Sequence, residues 1–149
     1  MKKIIIAAAL GLVSTFAQAN SIDANSPIYK QLVSMGYSIS AVESGGLLAN
    51  RKGVDVAVVG TEKFVFLARY YRAKALSSLS NEDKAEYLSL INSANDELSL
   101  TYVVSDDTIR CGLHIYGEYS AASFGAAISD IEMCNVIFDK YPRLSAFGR

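Results

Sequence analysis

Thr108-Ile109-Arg110-Cys111-Gly112-Leu113-His114-Ile115-Tyr116 alternates apolar and polar side chains. Ile109, Cys111, Leu113 and Ile115 fall on one side. Arg110, Gly112, His114 and Tyr116 fall on the other. That period of two predicts a strand with one buried face and with Cys111 on that face. Downstream, Phe124, Ile128, Ile131, Cys134 and Phe138 recur at spacings of four, three, three and four, which is one stripe of a helix running from about Ser120 to Asp139. A strand face and a helix stripe of this kind are expected to pack on each other, which brings Cys111 toward Cys134. Upstream, Leu98 to Val104 reads as a strand, and the polar turn Ser105-Asp106-Asp107 joins the two strands as a β-hairpin.

The remaining elements follow from the same rules. Ser80 to Ser93 reads as a helix, with Ser80 and Asp83 as a variant capping box and Tyr87, Leu88 and Ile91 as its buried side. Before it, Tyr37 to Tyr71 reads as strands set off by glycine turns. Ile39 and Val42 lie in a first extended piece, and Leu47 to Asn50 is a candidate for a second that the expected order below does not count. Val54, Val56 and Val58 alternate with Asp55 and Ala57, and Phe64 to Leu67 is a hydrophobic run. Ser26-Pro27 is an N-cap with proline at the first helical position, so a short helix is expected from Pro27 to Met35, stopped by Gly36. Pro142 and Gly148 mark a loose tail. The expected order is α-β-β-β-α-β-β-α, an α+β fold with helices packed on an antiparallel sheet.

The N-terminus carries an address. Met1-Lys2-Lys3 is basic, Ile4 to Phe16 is a mostly apolar run without charge, and Ala17-Gln18-Ala19 is a small-x-small exit. This is the layout of a secretory signal peptide over residues 1–19, with cleavage after Ala19 and a single domain over 20–149. The run is shorter than the roughly 20 apolar residues of a membrane span, the alternative being an uncleaved anchor. A periplasmic or secreted product without stable membrane insertion is therefore expected. Losing Lys2 and Lys3 takes the 14 basic residues to 12 against 15 acidic ones, a net charge of −3. Such a balance is a poor match for nucleic acid or anionic membranes. The two cysteines, Cys111 and Cys134, then read as a disulfide in an oxidising compartment, closing a loop that stabilises the fold by roughly 3 kcal/mol. Two buried free cysteines acting as small hydrophobes are the alternative.

Ile91-Asn92-Ser93-Ala94-Asn95 at a helix end, followed by a strand, an acidic turn at Asp106-Asp107, a second strand and a long amphipathic helix, resembles the YbjN family. Val54 to Tyr70 fits the same pattern, and the resemblance spans roughly Pro27 to Phe138. It implies a fold similar to that of type III secretion chaperones, a tendency to form a homodimer, and a regulatory or binding role without known chemistry. The members it resembles are described as candidate sensory-transduction regulators of the cytosol, whereas this chain carries an export signal.

No catalytic motif stands beside that resemblance. His114 is the one histidine, without partners at metal-ligand spacing, so neither a metal nor any cofactor is expected. No Gly-x-Ser-x-Gly elbow and no phosphate loop occur. The adjacent acids Glu82-Asp83 and Asp106-Asp107 are the two candidate pairs for hydrolase chemistry, and a helix start and a turn already account for them. Arg69-Tyr70-Tyr71-Arg72 mixes aromatic and basic side chains and is the candidate protein contact, with a strand end covered by snorkelling side chains as the plainer reading. The expected function is a noncatalytic module for an unknown protein or peptide partner in the envelope. A small exported hydrolase or a small-ligand sensor is the alternative.

Overall fold

A computed structural model describes residues 22–42, 46–61 and 63–148. The expected signal peptide lies outside the described residues. Helix α1 (Pro27–Ser34) starts where Ser26 accepts the Tyr29 N–H, and buries Ile28 and Leu32. Strands β1 (Ser38–Ala41), β2 (Leu47–Arg51), β3 (Val54–Thr61) and β4 (Phe64–Arg72) follow as a meander. Helix α2 (Asn81–Glu97) crosses over to β5 (Thr101–Ser105), which turns into β6 (Thr108–Tyr116). The sheet has six antiparallel strands in the order β1-β2-β3-β4-β6-β5. The fold class is α+β, as the patterns require, but four strands rather than three precede α2. Leu47–Arg51 supplies the extra one, because Leu47 and Ala49 bury one face while pairing with β1 on one side and β3 on the other.

One face of the sheet holds the core. Ala49, Val56, Val58, Val65, Leu67, Ile109, Cys111 and Tyr102 are buried there, and the apolar stripes of the helices close over them. Helix α3 (Ala121–Glu132) contributes Phe124, Ile128 and Ile131, all at 1% exposure or less. The expected single helix to Asp139 is interrupted. A 3-10 turn at Met133–Asn135 separates α3 from α4 (Val136–Lys140). Cys134 lies in that turn, bonded to Cys111 of β6, and its carbonyl accepts the Tyr102 hydroxyl at 3.1 Å. A residue tied to the sheet through both its side chain and its carbonyl is held to the sheet rather than to the helix axis. The stretch Ala121–Lys140 is long and apolar enough to cross a membrane by composition, but here its stripe is spent on the sheet.

The tail is not loose. Pro142–Ala146 forms a 3-10 turn, Leu144 and Phe147 are buried, and Phe147 stacks on Tyr87 of α2 at 4.9 Å. Lys74 N–H donates to the Phe147 carbonyl, and Ala73 bridges to Gly148. Two apolar residues three apart are too short a signal for periodicity to register.

The disulfide closes a segment 23 residues long. Cys111→Ala paired with Cys134→Ala is expected to lower unfolding stability by about 3 kcal/mol, read as a lower urea midpoint with a somewhat steeper slope, because the denatured chain without the cross-link exposes more surface. An unchanged midpoint would show that the cross-link adds nothing to the packed strand and helix.

Candidate functional site

Two groups of polar and aromatic side chains stand out, one on each face of the sheet. On the helix side, Glu132 ends α3. A carboxylate there meets the negative end of the helix dipole and is unfavourable by itself. Arg51 of β2 donates to both of its oxygens, with Nε at 3.1 Å, and Tyr37 donates its hydroxyl. Arg69 of β4 donates to the Glu132 main-chain carbonyl at 2.6 Å, which satisfies one of the acceptors a helix end leaves open. The guanidiniums lie over aromatic rings, Arg51 over Tyr37 at 4.7 Å and Arg69 over Tyr71 at 5.2 Å. Burial pushes the Glu132 carboxyl up, but the bonds from Arg51 and Tyr37 and the charges of Arg51 and Arg69 outweigh it and hold the group below the usual range. Burial, followed by the Glu132 contact, drives the Tyr37 hydroxyl well above its ordinary value. Glu132 is thus kept as an anion and Tyr37 as a neutral phenol. Neither is poised to exchange a proton near neutral pH. The group is a clamp between α3 and strands β2 and β4.

The other face of the sheet has no described helix over it. Register sets Phe64 opposite Tyr116 and Phe66 opposite His114. The rings form a row: Phe66 to His114 at 4.6 Å, Phe64 to His114 at 5.8 Å, and His114 to Tyr116 at 6.0 Å. Arg110 extends the row with its guanidinium 5.3 Å from the Phe66 ring. Gly112 lies beneath it, and a Cβ there would come within 2.8 Å of the far end of the Phe66 ring and displace it. Tyr116 is 76% exposed. Burial, with a smaller contribution from Arg110, lowers the His114 pKa, so the imidazole is neutral at ordinary pH and stacks as an aromatic ring. A partly exposed aromatic row flanked by an arginine has the composition of a protein-contact surface.

No family model and no curated protein matches the chain. Among solved structures, an uncharacterized protein from Methanothermobacter thermautotrophicus is similar at a TM-score of 0.60 and 12% identity, with 78% of this chain and 96% of that chain covered. YbjN from E. coli, described as a proposed transcription regulator, is similar at a TM-score of 0.53 and 10% identity, over 76% of this chain and 89% of that one. The fold is YbjN-like. At these identities the likeness is one of fold and carries no activity with it.

Within this YbjN-like fold the Ile-Asn-x-x-Asn element has a structural task. The Asn95 side chain accepts the Tyr102 N–H at 2.6 Å and donates to the Tyr102 carbonyl at 2.9 Å, covering the outer edge of β5. The four-residue contact candidate is divided by the pleat. Arg69 and Tyr71 turn toward the helices, where Tyr71 packs edge-on against Phe138. Tyr70 and Arg72 lie on the helix-free face, across from Arg110 and Thr108. Sequence reading missed Phe64, Phe66, His114 and Tyr116 as a group. The signal was present in the Phe64-Val65-Phe66-Leu67 run, where alternate residues are apolar on both faces. Glu82, Asp83, Asp106 and Asp107 are all exposed, at the start of α2 and in the β5–β6 turn, without the burial that raises a catalytic carboxyl pKa. Among the described residues no three of His, Cys, Asp and Glu gather to hold a metal ion.

A depressed carboxyl pKa contributes stability above the ordinary glutamate value of 4.5, and that contribution is lost as pH falls through the folded value. Acid titration of wild type should therefore show stability falling below pH 4.5, and Glu132→Gln should be less stable at neutral pH with a shallower acid slope. Chemical denaturation at several pH values checks this. An identical slope in the variant would place the acid sensitivity elsewhere.

Proposed function

We propose that this chain is an exported, noncatalytic binding module of the bacterial envelope, a homodimer that holds a protein or peptide in a regulatory or chaperone-like role. The observation that carries the reading is the row on the helix-free sheet face in which half-buried Phe66 stacks beside exposed His114 and Tyr116. Aromatic rings supply large contact area at low entropic cost, and they are the usual anchors where one polypeptide meets another. The leader-like residues 1–19 and a disulfide formed by the chain's two cysteines support an oxidising compartment. The YbjN neighbour, itself a proposed transcription regulator, supports a regulatory role. A weakly acidic exported chain exerts such a role through polypeptide contacts rather than through DNA.

Two measurements test this. Intact mass of the protein recovered from the periplasm or medium is expected to correspond to a chain beginning at Asn20 with both cysteines oxidised. A product retaining residues 1–19 in the membrane fraction would refute export. Purified protein is expected to suppress aggregation of a chemically reduced, unfolded client, and Tyr116→Lys to weaken that protection about five-fold while leaving the melting curve unchanged. Wild type that gives no protection, or a variant that protects equally, would overturn the binding role of this face.

A further inference from the structure

The two edges of the sheet are treated differently. At β5 the Asn95 amide pairs with both main-chain groups of Tyr102, so an incoming strand finds that position occupied. At β1 no described residue takes this part. Val42 N–H donates to the Gly46 carbonyl, and alternation along an antiparallel ladder then directs Ser40 and Ser38 toward β2. Ile39 and Ala41 direct their N–H and C=O groups outward, away from β2. The edge reads Ser-Ile-Ser-Ala, without charge, proline or bulge, and Ser38, Ser40 and Ala41 are exposed. Charge, proline and bulges normally protect an edge, and among the described residues none of them does so here, which leaves the shortness of β1 as its protection.

We infer that the β1 edge seats the β1 edge of a second copy of this chain, antiparallel about a twofold axis, so that two six-stranded sheets join into one. The inference rests on the homodimer reading above and names its surface. Pairing Ile39 with Ala41 of the copy, and Ala41 with Ile39 of the copy, makes four main-chain bonds and sets the two Ser40 residues opposite each other on the helix-free face. The twofold brings two neutral, small-residue edges together, so no like charges meet. The short length of β1 selects the occupant. Two outward-facing residues offer too few bonds to order a free peptide, which loses its chain entropy on binding. A second copy arrives with its strand already held by β2. A twofold normal to the sheet also keeps both helix layers on one side. There α1, which packs on β1, carries Val33 at 50% exposure and gains a neighbour in the copy's α1.

The test is sedimentation and light scattering of the full mature chain. Wild type is expected to be a dimer. Ser40→Lys and Ser40→Glu are each expected to be monomeric at the same concentration, and their mixture to re-form a heterodimer, because opposite charges then face each other across the axis. Ala41→Pro removes an outward N–H without touching a β1–β2 bond, and by symmetry two bonds are lost, so dimerisation should weaken about ten-fold or more. Hydrogen exchange on wild type needs no variant: the Ile39 and Ala41 amides should be protected at dimer concentrations and exchange rapidly on dilution. A dimer that survives both Ser40 variants with those amides unprotected overturns the surface and leaves the homodimer intact. A wild type monomeric at all concentrations overturns both. Protection of those amides only after an unstructured peptide is added overturns the second copy in favour of an extended ligand.

Discussion

The pairing of β4 with β6 is the constraint on which the rest of the molecule depends. It runs from Phe64 opposite Tyr116 to Arg72 opposite Thr108 and joins the N-terminal meander to the C-terminal hairpin. Because strand side chains alternate, this one register decides what each face can do. It puts Val65, Leu67, Arg69 and Tyr71 with Ile115, Leu113, Cys111 and Ile109 under the helices. It puts Phe64, Phe66 and Tyr70 with Tyr116, His114 and Arg110 on the other side. A slip of one residue would bury the arginine of the second set and expose the cysteine of the first. The disulfide, the Arg69 bond to α3 and the aromatic row are consequences of the same ladder.

The two polar groupings make different demands on that ladder. Around Glu132, the carboxylate and the main-chain carbonyl are both matched by donors from other elements, and Arg51 and Arg69 set two positive charges beside its single negative one. Such matching raises rigidity and leaves little capacity for chemistry. The Arg51–Glu132 pair is partly exposed, so its value is in orientation more than in net energy. The row of Phe66, His114 and Tyr116 is the reverse case. Its rings satisfy one another along the sheet but present their outer surface to solvent, and Gly112 leaves room for Phe66 to lie flat. A face kept apolar despite solvent is a cost in solubility.

How much of this could be read from the sequence follows from the range of each signal. The β6 alternation and the Phe124–Phe138 stripe are both local and long, and they located the strand, the helix and the two cysteines that join them. The α1 and α2 starts were legible because Ser26 and Ser80 are caps with strong preferences. What was hidden is what depends on partners far away in sequence. The break at Met133–Asn135 follows from Tyr102 and Cys111 holding Cys134, and a uniform helical stripe carries no mark of it. The docking of Leu144 and Phe147 needs α2 and the end of β4 to exist first. The contact candidate Arg69–Arg72 rests on composition, and composition carries no trace of the pleat that sends its members to opposite faces.

The strand order also has a consequence for synthesis. A chain emerges N-terminus first, and β1 to β4 can pair with one another as soon as Arg72 is free. For the time it takes to make the next 44 residues up to Tyr116, β4 is an outer strand, with Phe64, Phe66 and Leu67 at an unmatched border. Its proper neighbour is not the next strand made but the one after, since β5 ends on the far side of β6. The nascent meander is therefore open to the wrong strand until the last third of the chain arrives. The oxidised loop from Cys111 to Cys134 lies wholly within that last third, so it cannot guard the early intermediate. It can only secure the insertion of β6 once that has occurred.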